Sequence, residues 1–204
     1  CFPLLLKKKY IPLIISILVL STIHGSALLL LPMIFIVQGK AWNKKTLLFI
    51  VCVLLAIIFV DRFTTILDDM LVSTQYEDLV SSEVWQQDDG TSFIRVLVYA
   101  VPTVLALVGR KQIKAADNKI INICVNMSLL STGIYFVSMF TSGILIGRLP
   151  IYFSLFNYIL LPWEIENIFT ARSRKLLYPL MIGAYLVFYY YQLNYGWGIW
   201  NSGI

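Results

Sequence analysis

Apolar positions run along this chain in long blocks, separated by short polar or basic stretches. The blocks are Ile11 to Val37, Thr46 to Val60, Phe93 to Val108, Ile120 to Thr141, Leu149 to Phe169 and Leu176 to Tyr191. Roughly 20 apolar residues cross a bilayer as a helix, so the pattern predicts about six membrane segments. No stretch alternates as a strand would, and the fold class expected is all-α, a polytopic integral membrane protein. The first block, 27 residues long, is long for one helix and short for two full spans. His24-Gly25-Ser26 interrupts it, with Pro12 near one end and Pro32 near the other. It therefore reads as a bent or re-entrant pair of half-helices, whose freed backbone groups need partners inside the protein.

Charge gives the topology. Thirteen of the sixteen basic residues fall in four clusters: Lys7 to Lys9; Lys40, Lys44 and Lys45; Arg110, Lys111, Lys114 and Lys119; and Arg172, Arg174 and Lys175. With the first block bent back on itself, all four lie on one side, which the positive-inside rule makes the cytoplasm. Arg62, Arg95 and Arg148 fall on the other side, with eight of the eleven acidic residues. The connection 61–92 reads as an external loop, with Phe63, Ile66, Leu67, Met70 and Leu71 at the spacing of a surface amphipathic helix. Trp42, Trp85, Trp163, Trp197 and Trp200 stand at segment ends, as an interfacial belt would.

Composition agrees with this reading and narrows the function. The chain is 59% hydrophobic and 13% charged, with mean hydropathy +0.79, outside the range of soluble domains. Its net charge of +5 is distributed as loop topology, so nucleic acid is not an expected partner. Cys1, Cys52 and Cys124 have no metal-ligand spacing and read as small core residues; no metal and no cofactor are expected. The chain starts inside an apolar run at Cys1, and the 204 residues read as a single transmembrane domain belonging to a longer protein.

Five features carry candidate chemistry. In Gly147-Arg148-Leu149-Pro150, a helix is expected to start at Pro150, leaving free first-turn N–H groups beside the Arg148 guanidinium. Together they would bind a phosphate; the alternative is an arginine that snorkels to lipid headgroups. Ser92 is a helix N-cap that places Arg95 at the third helical position, against the helix dipole. Arg95 is then either a functional cation or the partner of Asp88 or Asp89. His24, the one histidine, is a general base or a packing residue bonded to free carbonyls. Among the external carboxylates, which include a candidate base, Asp89 is assigned to substrate binding. The aromatic tail Tyr189 to Asn201 suits either sugar rings or the membrane interface.

Three stretches, in this order, resemble one known family. They are Lys8-Lys9-Tyr10 with Thr22-Ile23-His24-Gly25-Ser26-Ala27-Leu28, then Gly90-Thr91-Ser92 through Arg95 to Pro102, then Gly147-Arg148-Leu149-Pro150-Ile151-Tyr152-Phe153 with Leu161-Pro162. They are similar to the EpsG family of bacterial exopolysaccharide and capsule synthesis, treated as Wzy-like polymerases. The resemblance implies a GT-C-like membrane glycosyltransferase in the bacterial cytoplasmic membrane. It would join oligosaccharide repeats carried on undecaprenyl pyrophosphate at the outer face. Other assembly proteins, a flippase and a chain-length regulator, are the further partners implied. The carry-over falls on His24, Arg95 and Arg148 as catalytic residues and on Ser26, Tyr152 and Phe153 as substrate contacts. A transporter of lipid-linked oligosaccharide and a polysaccharide-modifying membrane acyltransferase are the competing functions.

Overall fold

The computed structural model describes residues 2–23, 27–28, 30–60, 62, 65–66, 69, 90–141 and 146–196. Those residues are helical, with no strand among them. His24, Ser26, Asp89, Cys1, Trp85, Trp197, Trp200 and most of the expected amphipathic helix lie outside them. The chain forms two compact units, 1–160 and 161–204.

The first unit is built on one central helix. Its helices are α1 (Phe2–Leu6), α2 (Tyr10–Ser21), α3 (Leu30–Val37), α4 (Lys44–Ile58), α5 (Phe93–Val108), α6 (Arg110–Ala116), α7 (Lys119–Ser138), α8 (Ile151–Ser154) and the start of α9 (Asn157–Ile168). Fifteen of the twenty residues of α7 are buried, around its whole circumference, which makes it the core of the bundle. The Asn118 side chain starts it, accepting from the amides of Ile120 (2.9 Å) and Ile121 (3.4 Å). Against it pack α3, α4, α5 and α8.

The packings of α4 and α5 use small or hydroxylated residues of α7. A Cβ on Gly133 would lie 2.8 Å from Phe49 Cε1, so α4 approaches there because glycine leaves room. Facing α5, Ser128 and Thr132 lie 2.8 and 2.7 Å from the Thr103 hydroxyl, and Thr132 also donates to the Tyr99 carbonyl at 3.3 Å. Such contacts bind helices where apolar surface supplies little drive to associate.

The break read in the first block is present: α2 ends at Ser21 and α3 begins at Leu30. The two form a hairpin whose far ends meet again, with the Tyr10 hydroxyl donating to Gln38 and the Tyr10 and Phe35 rings 6.2 Å apart. The loop that follows is held by amides on α7. Asn126 donates to the carbonyls of Val37 (2.9 Å) and Lys40 (3.3 Å) and accepts from the Trp42 amide (3.3 Å), while Asn122 accepts from the Ala41 amide (3.1 Å). Asn126→Leu leaves those buried loop groups unpartnered and is expected to cost about 2–3 kcal/mol, read as a lower unfolding midpoint in detergent.

The span count is met in part, and two further expectations need correction. Two described helices, Lys119–Ser138 and Ala171–Asn194, are long and apolar enough to cross a membrane, and α5 with α6, bent by 71°, makes a third if counted as one span. The other blocks yield shorter pieces: fifteen residues for α4, and four and twelve for α8 and α9, which part at Leu155-Phe156. At 1.5 Å per residue none of these reaches about 30 Å. Trp42 is buried rather than interfacial, because the loop carrying it is drawn onto α7; the Arg110 guanidinium lies 5.5 Å from its ring. Of the two described cysteines, Cys52 faces outward and Cys124 is a core residue, since α4 turns its Cys52 side away from α7.

The second unit holds the rest of α9, then α10 (Ala171–Tyr191), capped by the Thr170 hydroxyl on the Ser173 amide (3.4 Å), and a π turn Gln192–Gly196. Tyr178 on α10 donates to Glu166 at 2.9 Å.

Candidate functional site

Three chain segments meet at the C-terminal end of α7. Thr91, just before α5, donates its amide to the Ser138 carbonyl at 3.0 Å, and the two hydroxyls are 2.7 Å apart. Both side chains are buried, at 3% and 0% exposure. Gly90 stands at φ +78°, and a Cβ on it would be 2.6 Å from the Ser138 carbonyl oxygen. The third segment is the 3₁₀ turn Ile146–Arg148, whose Gly147 lies so near that an added Cβ would be 2.4 Å from Thr91 Oγ1. Two glycines therefore let two backbones close on one threonine–serine pair.

This junction positions both candidate arginines. Arg148 follows Gly147 directly and is exposed; Arg95 comes one turn into α5 and is half-buried. Ser92 caps α5 as expected, its hydroxyl accepting from the Arg95 amide at 3.4 Å. Among the described residues neither guanidinium has a hydrogen-bond or ion-pair partner. Both lie toward the Ser138 end of α7, while Asn122, which holds the lysine-bearing loop, is sixteen residues away, about 24 Å along the helix.

The helix expected to start at Pro150 is different in detail. Pro150 is itself the N-cap, and α8 runs only from Ile151 to Ser154. Its early amides are taken: Tyr152 bonds the Leu149 carbonyl, and Phe153 and Ser154 both bond Pro150. Those three amides therefore do not supplement Arg148, and anion binding there rests chiefly on the guanidinium. The cause is the tight turn Ile146 to Pro150, with the Leu149 amide bonded to Ile146 at 3.2 Å, which feeds its carbonyls straight into α8.

Beyond Arg148 the chain runs along an apolar groove of about 390 Å³. Tyr152 and Phe153 line it together with Leu13 and Ile17 of α2, Ile34 of α3 and Met127 of α7. Ile23 and Ala27 also line it, on either side of the segment that carries His24 and Ser26. Ser131 Oγ is 3.5 Å from the Pro150 carbonyl, so this wall joins α7 about two turns from its end. The Tyr99 and Tyr135 rings stack at 4.8 Å on the α5–α7 contact near Arg95.

Two buried polar groups went unread in the sequence. Among the described residues, Asn157, in the first unit, has no hydrogen-bond partner for either amide atom, and Glu164, in the second, is fully buried with none for either carboxyl oxygen. The signal for Glu164 was available, because an acid inside an apolar block is a candidate functional residue by default. No curated protein and no solved structure matches the chain. Residues 1–198 match the EpsG family, spanning both the Gly90–Thr91 and the Gly147–Arg148 sides of the junction and the groove wall. The chain belongs to the EpsG family, a family of polysaccharide polymerases.

Proposed function

We propose that the chain joins oligosaccharide repeat units carried on undecaprenyl pyrophosphate, at the outer face of the bacterial cytoplasmic membrane, within a multi-pass domain of about six membrane segments. One observation carries the reading: two guanidinium groups with no hydrogen-bond or ion-pair partner among the described residues stand at one end of α7, next to an apolar groove that begins four residues after Arg148. A lipid pyrophosphate has the matching parts, a dianionic head and a long apolar tail. Bidentate arginine suits the head, and the groove suits the first isoprene units of the tail.

The chemistry follows from that placement. The acceptor hydroxyl oxygen attacks the anomeric carbon of the donor sugar, and the bond from that carbon to the pyrophosphate oxygen breaks. The electron pair leaves with the diphosphate, where Arg95 and Arg148 offset the growing charge. The hydroxyl proton passes to a base, for which His24 or an external carboxylate is the candidate, while Asp89 serves substrate binding. Ser26, Tyr152 and Phe153 contact the substrate beside this centre.

Reconstituting the full chain in liposomes with a single-repeat lipid pyrophosphate tests the proposal. A ladder of products longer than one repeat is expected. Single repeats that cross the bilayer without elongation would instead make it a transporter, and acylated but unextended glycan would make it an acyltransferase.

A further inference from the structure

At the opposite end of α7 from the arginines lies a pocket of about 440 Å³ that polymerisation does not use. Lys8, Lys40, Lys45 and Lys119 line it, with Asp117 as the one acid, so three of the basic clusters separated in sequence converge in space. Lys40 pairs with Asp117 at 3.5 Å and Lys45 donates to the Phe35 carbonyl at 3.0 Å. Lys8 and Lys119 have no partner among the described residues.

The positive-inside bias accounts for the sign of these residues but not for their arrangement. Lys44, Lys45 and Lys119 occupy the first turns of α4 and α7, where no acid is present and a cation opposes the helix dipole. Three backbone positions in the left-handed region line the same pocket: Lys8 (φ 53°), Gly39 (φ 100°) and Asp117 (φ 39°). Two of them are not glycine, and strain of this kind persists where the surroundings impose it for a purpose. Gln38 adds a buried Nε2 donor with no acceptor. The first-turn amides of α4 and α7 are already capped by Asn43 and Asn118, so the groups one anion would satisfy are the Lys8 and Lys119 ammonium groups and the spare Gln38 donor, which face one pocket.

The opposite wall is apolar, made by Leu5, Leu6 and Ile123. A cationic rim over an apolar wall matches an amphiphile better than a free ion. We propose that this pocket binds the phosphate headgroup of an anionic phospholipid, with the glycerol and upper acyl carbons against α1 and α7.

Native mass spectrometry and thermal unfolding of the full chain, purified and supplied with phosphatidylglycerol, phosphatidylcholine or inorganic phosphate, provide the test. Phosphatidylglycerol is expected to stay bound and to raise the midpoint, and phosphatidylcholine is not. Lys8→Gln with Lys119→Gln should weaken retention by about fivefold for each lysine removed, while Lys8→Arg with Lys119→Arg keeps it and Lys111→Gln, outside the pocket, has no effect. Equal retention of both lipids, or wild-type retention in the double glutamine variant, overturns the site. Full stabilisation by inorganic phosphate alone overturns the lipid assignment in favour of a soluble phosphate.

Discussion

Replacing Arg148 by alanine is expected to cut polymer formation at least about 100-fold, with single lipid-linked repeats accumulating on the outer leaflet. The side chain is exposed and has no hydrogen-bond or ion-pair partner among the described residues, so the unfolding midpoint should not move. Arg148→Lys is expected to recover little, because one ammonium cannot reproduce a planar two-point grip on a diphosphate. Arg95→Ala should behave alike. The Arg95→Ala, Arg148→Ala double variant should lose less than the product of the single losses if both groups act on one leaving group. Polymer-length analysis of the surface glycan reads all of these. Normal polymer in both single variants would remove the arginines from the mechanism.

Gly147→Ala and Gly90→Ala are expected to be the most destabilising small substitutions. At Gly147 the new methyl would meet Thr91 Oγ1 at 2.4 Å, and at Gly90 it would meet two backbone carbonyls, with φ at +78° besides. Backbone does not yield as a flexible side-chain end does, so about 3 kcal/mol is the expected loss at Gly90, and somewhat less at Gly147, where Thr91 can rotate. Both changes also move the segment that carries an arginine, so activity should fall with stability. Gly183→Ala, with nothing within 4 Å inside α10, is the contrast and should be neutral or slightly stabilising. Unfolding midpoints of the three variants in one detergent decide the matter; equal midpoints would show that the junction is not tightly closed.

Much of the helical layout was legible because it rests on local rules. Phe93–Val108 was bounded by its apolar block, with Ser92 capping it and placing Arg95 at the third position. The interruption after Ser21 was marked by His24-Gly25-Ser26 between two prolines. Charge assigned the lysine clusters to one side of a membrane, but the pocket that Lys8, Lys40, Lys45 and Lys119 share within the first unit was visible only in the tertiary structure. The start of α8 was misread because proline at a helix start has the same local signature whether the turn before it is open or closed. Only the Leu149 to Ile146 bond distinguishes the two cases. Trp42 was misread for a related reason: its sequence position marks a segment end, but Asn122 and Asn126 pull that end inward.

By itself the sequence determined the class of the protein: a helical membrane chain with clustered basic residues between apolar blocks, in the order of motifs proper to its family. Hydropathy, capping and charge sign act over a few residues, so they can be read in one dimension. The tertiary structure alone decided that Thr91, Ser138 and Gly147 close into one junction, and that the turn before α8 uses its own carbonyls to satisfy that helix. Those contacts join residues nearly fifty positions apart, and close packing around α7, rather than any local preference, selects which of them form.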